Sequence, residues 1–203
     1  SNKVGSDYNE FLIELWQEIQ KGYEIPSELS YDDYVEIKNN KSRHPKHLVA
    51  VAGILATYNA KWFGGYAKIT HTKAGTIRNY YDESRRNVIK QIPNIIDVDF
   101  YHRSYEYYSN ENTQNALIYC DPPYQNTTGY GSDFNHGKYW NWVRELSKNN
   151  IVICSEYNAP NDFLCIYEKG LTTTMDNASR KKDTEKLFIH VNNAETLNKT
   201  DIL

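Results

Sequence analysis

The most informative stretch of this sequence lies just past the middle of the chain and reads Leu117-Ile118-Tyr119-Cys120-Asp121-Pro122-Pro123-Tyr124. Its first four residues form a short apolar run that ends in turn-forming residues, which predicts a buried β-strand. The acid, the two prolines and the tyrosine therefore come where a strand ends and a loop begins. Ligands of open α/β sheets bind outside this carboxyl edge of the strands. Residues 121–124 are thus the first candidate for a functional site.

These four residues suit the binding of a planar amine. The amino nitrogen of a heteroaromatic ring is a poor nucleophile because its lone pair is delocalised. The Asp121 carboxylate and the Pro122 carbonyl could each accept one N–H and so free the lone pair. Pro122 and Pro123 fix φ and carry no competing N–H, and Tyr124 would stack on a base that has left its duplex. This chemistry predicts methyl transfer from S-adenosylmethionine; the alternative is a plain Pro-Pro turn.

The sequence around this stretch favours an α/β fold. Short strands alternate with helices from Ile95 onward, which implies a mostly parallel sheet with crossover helices. We expect strands near 97–101, 117–121, 151–156, 164–168 and 186–192, with a helix near 138–148.

The first half of the chain is predicted to be mainly helical. Apolar spacing predicts helices over 8–21 and 45–58, and a basic amphipathic helix over 79–92 that ends at Pro93. Ser30 and Asp33 form a capping-box pattern that opens another helix. We therefore predict a catalytic domain from 1–25 and 94–203, with 26–93 inserted as a helical target-recognition region.

Composition is compatible with this assignment without pointing to a function. The chain has 203 residues, a net charge of −3 and three cysteines. This size suits one domain with an insertion, and the charge gives no overall nucleic-acid signature. No cysteine or histidine spacing suggests a metal site, and the longest apolar run, 48–56, is too short to cross a bilayer. We expect a cytoplasmic protein with reduced thiols, no metal and no membrane contact.

Positive charge is concentrated in one segment. Seven basic residues occur from Lys61 to Lys90, interleaved with aromatic residues. This combination suits a phosphate backbone and an unstacked base, although a solvated helix face over core aromatics is the alternative. Thr127 and Tyr130 lie in a polar loop that could close over a base, or be an ordinary loop. The DNA-binding candidates are Lys61, Arg78, Arg85, Arg86, Thr127 and Tyr130.

Several stretches, in order along nearly the whole chain, resemble one family. It is the D-P-P-Y amino-group DNA methyltransferases, specifically the Dam-related adenine-N6 enzymes, which include phage-type members. The matching stretches are 6–9 with 12–13, 61–67 (K-W-F-G-G-Y-A), 121–124 with 127–130, 155–160 (S-E-Y-N-A-P) and 184–188 (T-E-K-L-F).

The resemblance implies a Rossmann-like fold that transfers a methyl group from S-adenosylmethionine to N6 of a flipped adenine in double-stranded DNA. Asp7 matches an acid that binds the cofactor ribose, although an aspartate there could instead cap a helix. Ser104, beside Tyr105, stands where the family often has an acid that contacts the cofactor adenine. Asp121 would also lie against the cofactor. Cytosine N4, an RNA base or a protein amide are alternative acceptors.

One element of the resembling family is expected to be absent from this sequence. The family has a Gly-rich turn upstream of the acid that Asp7 matches, and only six residues precede Asp7. The sequence would then be a truncated piece, one half of a split enzyme that an N-terminal polypeptide completes, or a remnant that binds DNA without catalysis. The last of these would be a DNA-binding or assembly module.

Overall fold

A computed structural model describes residues 2–71, 75–125, 134–170 and 184–198. The chain divides into two compact units, of which unit 1 is Ser1–Tyr105 and unit 2 is Glu106–Leu203. The secondary structure is mixed α/β, with small sheets that include parallel strands. The assignment of 26–93 as an insertion stays a prediction.

Unit 1 combines a helical core with a parallel pair of strands. Strands β1 (Lys3–Asp7) and β4 (Val98–His102) pair in parallel, with Asp7 opposite His102. Strand β2 (Thr70–His71) pairs antiparallel with β3 (Ile77–Arg78). The elements are β1 (Lys3–Asp7), α1 (Glu10–Gln20), α2 (Tyr31–Asn39), α3 (Lys46–Ala50), a π-helical segment (Val51–Leu55), β2 (Thr70–His71), β3 (Ile77–Arg78), α4 (Tyr80–Ile95) and β4 (Val98–His102), with 3-10 turns at Lys41–Arg43 and Tyr58–Ala60. A further 3-10 turn, Tyr105–Tyr107, begins at the last residue of unit 1.

The core of unit 1 is apolar and is built mainly by its helices. Leu15 and Ile19 of α1 lie one turn apart and are buried in the same cluster as Val49 and Ala50 of α3. Helix α2 begins with the expected capping box, because Ser30 and Asp33 satisfy each other's backbone N–H groups. The amphipathic pattern of α1 and the cap of α2 are therefore confirmed.

The single helix expected over 45–58 is wrong in its second half, where the α-helix becomes a π-helix. The carbonyl of Gly53 accepts the N–H of Phe63 at 2.9 Å, which diverts it from a regular helical bond. A Cβ on Gly53 would lie 2.7 Å from the rings of Trp62 and Phe63. The close approach of residues 62–63 thus requires glycine here.

Helix α4 continues through Pro93 to Ile95, so the expected end at Pro93 is wrong. Proline removes one donor and crowds the carbonyl four residues earlier. Here that loss is confined to the last turn of the helix, where few backbone bonds remain to be broken.

Unit 2 contains a four-stranded mixed sheet, whose strands lie in the order β5 (Leu117–Cys120), β6 (Ile151–Glu156), β8 (Thr184–His190) and β7 (Phe163–Gly170). Strand β5 is parallel to β6, and β8 is antiparallel to both of its neighbours. The expected mostly parallel sheet is wrong for this unit, because β7 and β8, which are consecutive strands, pair antiparallel with each other, and β8 is also antiparallel to β6. The elements are β5 (Leu117–Cys120), α5 (His136–Leu146), β6 (Ile151–Glu156), β7 (Phe163–Gly170), β8 (Thr184–His190) and α6 (Val191–Asn198).

Helix α5 joins the two parallel strands of unit 2 and covers the sheet. It buries Tyr139, Trp140, Val143 and Leu146, and the Trp140 ring lies 4.6 Å from that of Phe163 in β7. The β5–α5–β6 order is the crossover that the sequence predicts.

Candidate active site

The D-P-P-Y tetrapeptide begins directly after β5. Cys120, the last residue of β5, lies opposite Cys154 of β6, so the tetrapeptide leaves the sheet beside the end of β6. Asp121 is exposed, whereas Pro122, Pro123 and Tyr124 are half-buried. The tetrapeptide therefore lies at the carboxyl edge of two parallel strands, as the sequence predicts.

The side chain of Tyr124 is held by the residues that end β6. Its hydroxyl shares a hydrogen bond with Ser155 Oγ, and its ring meets the Tyr157 ring edge-on at 4.8 Å. Burial raises the pKa of Tyr124 above its ordinary value of 10.0. The phenol is thus neutral at physiological pH and has a fixed orientation.

Glu156 is buried and binds the backbone beyond the tetrapeptide. Its Oε1 accepts the N–H of Gln125 at 2.7 Å and its Oε2 accepts the N–H of Tyr157 at 2.6 Å. His136 Nδ1 lies 3.8 Å from Oε1. These contacts give Glu156 a structural role, in which its carboxylate binds backbone N–H groups.

Asp7 ends β1 and bends the chain into α1. Its Oδ1 accepts the N–H of Asn9 at 2.6 Å. Asn9, not Asp7, is the N-cap of α1, since its side chain accepts the N–H groups of Phe11 and Leu12. The alternative of Asp7 as the helix cap is therefore wrong, and the exposed carboxylate lies at the carboxyl end of its strand.

Ser104 and Tyr105 follow β4 at the same edge of the β1–β4 sheet as Asp7. The N–H of Arg103 donates to the Asp7 carbonyl at 3.1 Å, and both Ser104 and Tyr105 are half-buried. The structure thus brings the three expected cofactor residues of unit 1 to one edge of this sheet.

An open cleft of about 390 Å³ lies next to Asp7. Its aromatic lining includes Phe11 and Trp62, whose rings are 5.3 Å apart. The His102 Nε2 lies 3.0 Å from the Tyr8 carbonyl and fixes the rim. The lining residues are Tyr8, Asn9, Glu10, Phe11, Trp62 and His102.

The arginines proposed for DNA contact make bonds within unit 1. Arg78 forms a two-pronged ion pair with Glu83. Arg85 donates to the Ile25 carbonyl at 3.0 Å, and Arg86 pairs with Asp82 at 3.0 Å. The two acids of the segment therefore offset part of its positive charge.

Lys61, Arg78 and Arg86 are exposed on unit 1, whereas Arg85 is half-buried. Arg85 therefore has a structural role, and the three exposed residues remain the better candidates for phosphate contact. Thr127 and Tyr130 lie outside the described residues.

The sequence alone does not assign two groups of residues to a site. Ser155 stands out in the sequence only as part of the S-E-Y-N-A-P stretch, and its place at the end of a strand is the feature that indicates a site residue. Phe11 and His102 have no such feature, because their spacing in sequence does not show that they line one cleft with Trp62. Both groups depend on contacts between residues far apart in sequence.

The described residues hold no group of three or more His, Cys, Asp and Glu side chains suited to a metal ion. No helix in the described part of the chain is long and apolar enough to cross a membrane. All three cysteines are free thiols.

A scan against protein-family models finds no matching family, and a search of curated proteins finds no similar sequence.

Proposed function

We propose that the chain has a Rossmann-like methyltransferase fold and methylates an amino nitrogen, specifically N6 of an adenine flipped out of double-stranded DNA. The observation that carries this proposal is the place of D-P-P-Y at the end of β5, with Tyr124 oriented by Ser155. The acid and a carbonyl with no neighbouring N–H can accept the two hydrogens of a planar amine, and the aromatic ring can stack on its base.

Each residue of the tetrapeptide has its own task in this proposal. The Asp121 carboxylate accepts one N–H of the amine and the Pro122 carbonyl accepts the other. Pro123 stiffens the backbone between this acceptor and the ring. Tyr124 stacks on the base, which offsets part of the cost of unstacking it.

S-adenosylmethionine, when bound, supplies the electrophilic methyl group. The residues of unit 1 fit such a molecule. The Asp7 carboxylate is exposed at a strand end, where it can accept from two vicinal ribose hydroxyls. The neighbouring aromatic cleft of about 390 Å³ suits a planar heterocycle. Ser104 and Tyr105 lie at the same sheet edge and complete the set.

The expected partner is double-stranded DNA, which the segment from Lys61 to Lys90 would contact. Lys61 and Arg86 are exposed there, and the paired acids leave this face less positive than the sequence suggests.

The test is methyl transfer from radiolabelled S-adenosylmethionine to DNA, RNA and protein acceptors. We expect adenine in DNA to be labelled, and Asp121→Ala to lower turnover by at least about 100-fold because the amine loses its acceptor. The affinity for DNA should change less than about threefold, since phosphate contacts contribute most of the affinity and contacts to the base contribute little. Glu111→Ala, which removes an exposed acid of unit 2, is the matched control.

Turnover of Asp121→Ala within a few-fold of the unmodified protein would contradict the assigned roles. Labelling of cytosine, RNA or protein would move the proposal to that acceptor. Calorimetry that shows no heat with S-adenosylmethionine or its demethylated product would favour a non-catalytic DNA-binding module.

A further inference from the structure

The end of β6 holds the Tyr124 region through both side chain and backbone. Ser155 bonds the Tyr124 hydroxyl, Tyr157 packs against the ring, and Glu156 binds the N–H of the next residue, Gln125. Three consecutive residues thus contact one short segment, and two of them belong to a strand.

Glu156 is the most buried of these contacts, with 1 % of its surface exposed. Burying a carboxylate is costly unless its oxygens accept hydrogen bonds. Both oxygens do so, one from Gln125 and one from Tyr157, at 2.7 and 2.6 Å. The side chain therefore acts as a bridge between the D-P-P-Y loop and the loop that leaves β6.

The base of this bridge is rigid. Strand β6 pairs with β5 on one side and with β8 on the other, and Ser155 and Glu156 lie opposite Leu187 and Lys186 of β8. A residue in a strand with paired neighbours has little freedom to shift, so the positions of Ser155 and Glu156 are set by the sheet.

The tetrapeptide is therefore anchored at both ends. Before it, the backbone of Cys120 lies opposite that of Cys154 in the β5–β6 ladder. After it, Gln125 is bound by Glu156. The carbonyl of Pro122 and the ring of Tyr124 lie between these two anchors, so loosening either anchor shifts both groups.

We propose that Glu156 and Ser155 are positioning residues, which hold the acceptor carbonyl of Pro122 and the stacking ring of Tyr124 in place for an incoming planar amine. This inference rests on the proposed function, because it assigns the two residues to the same site. Neither residue contacts the amine. Their effect is to keep the acceptors aligned, and a misplacement of about 1 Å can lower a rate about 100-fold.

The first experiment replaces Glu156 by glutamine, which has the same shape but only one acceptor oxygen. One of the two N–H groups then faces an amide NH₂. We expect kcat to fall about 10- to 100-fold, with the KM for DNA and the affinity for S-adenosylmethionine changed less than about threefold, because positioning acts on the reacting geometry. Glu145→Gln, at an exposed glutamate of α5, is the matched control and should match the unmodified protein.

A direct structural measurement accompanies the kinetics. Amide hydrogen exchange at Gln125 and Tyr157, followed by NMR, reports the two N–H bonds to Glu156 without any need for turnover. We expect slow exchange at both amides in the unmodified protein, and exchange at least about tenfold faster at one or both in Glu156→Gln.

A second pair of variants guards against a Glu156→Gln protein that does not fold. Tyr124→Phe and Ser155→Ala each remove one end of the same hydrogen bond, at little cost in volume. We expect each to lower kcat by a similar factor of about five, the equivalent of one hydrogen bond, and the double variant to be no slower than either alone. If the losses of kcat in the two single variants multiply in the double variant, the assignment of Ser155 is overturned.

The outcomes separate this inference from the proposed function. Faster Gln125 exchange with unchanged kcat would overturn the positioning role, and unchanged exchange would overturn the bridge itself. If the unmodified protein methylates no acceptor at all, the proposed function fails and the positioning role falls with it. Slow exchange at Gln125 would then identify a purely structural contact.

Discussion

The two units differ in what they bury. Unit 1 packs a helical cluster of aliphatic and aromatic side chains, in which the buried residues run from Leu15 to Tyr81. Unit 2 buries polar groups as well. Of the seven buried polar or charged residues in the described part of the chain, Thr57 lies in unit 1 and the other six lie in unit 2, namely Ser147, Asn150, Ser155, Glu156, His190 and Asn193.

The two kinds of buried groups stabilise the native structure of their units in different ways. An apolar cluster stabilises through area and shape, so it tolerates exchanges that keep volume. A buried hydrogen-bond network fixes position, but it fails when a single donor or acceptor is lost. The D-P-P-Y loop is bound by two of these buried polar residues, Ser155 and Glu156.

The largest expected effect comes from exchanging side chains of similar shape in the two units. Asn193 donates to the carbonyls of Ser147 and Asn150 and accepts the N–H of Val152. Asn193→Asp turns both donors into acceptors, and we expect it to lower the free energy of unfolding of unit 2 by at least about 3 kcal/mol. Leu15→Met in unit 1 should cost less than about 1.5 kcal/mol.

Hydrogen exchange resolved by segment measures both variants, because it follows the two units separately. Similar losses in the two would remove the contrast between an apolar cluster and a polar network.

A smaller effect separates two neighbouring arginines of unit 1. Arg85 donates to the buried Ile25 carbonyl, so we expect Arg85→Ala to cost about 1–2 kcal/mol. Arg86 is 61 % exposed, and Arg86→Ala should change the free energy of unfolding by less than about 0.5 kcal/mol. Urea unfolding measures both.

DNA binding should show the opposite order. Arg86→Ala is expected to lower the slope of log affinity against log salt by about one. Arg85→Ala, assayed under conditions in which the variant is folded, should change this slope less. A salt slope that neither substitution alters would remove this segment from the DNA-binding hypothesis.

The smallest effect is the pH dependence of one ion pair in unit 2. The Arg144 guanidinium binds both oxygens of Asp162, at 2.6 and 2.8 Å, and lowers the pKa of Asp162 from 3.8 to about 2. Because the pKa is lower in the folded state, the stabilisation is present above about pH 4 and is lost as the pH falls to about 2. Asp162 is 37 % exposed, so we expect less than about 1 kcal/mol.

Unfolding of unit 2, measured from pH 5 to pH 2, should lose this contribution in the unmodified protein and not in Arg144→Gln. Lys148→Gln, which removes an exposed pair with Glu145, should keep the pH dependence. An equal dependence in Arg144→Gln would assign the effect to other carboxylates.

Much of the local structure could be predicted from the sequence. Periodicity and cap chemistry act over a few residues, and they predict the strand at Leu117–Cys120, the crossover helix near 138–148, the strand at Ile151–Glu156 and the capping box at Ser30. The ends of the helices are harder to predict from the sequence. Pro93 lies inside α4, and the helix near 45–58 changes form because Gly53 bonds Phe63, ten residues away.

The amino-acid sequence is enough to predict the alternation of elements, the place of the D-P-P-Y tetrapeptide after a strand and the amphipathic character of α1, because each depends on neighbours along the chain. The folded protein alone shows that β8 lies between β6 and β7, that Phe11 contacts Trp62, and that Glu156 bridges two loops. Such contacts join residues whose separation in sequence carries no periodic signal. They form only when the surrounding packing brings the partners within hydrogen-bonding distance.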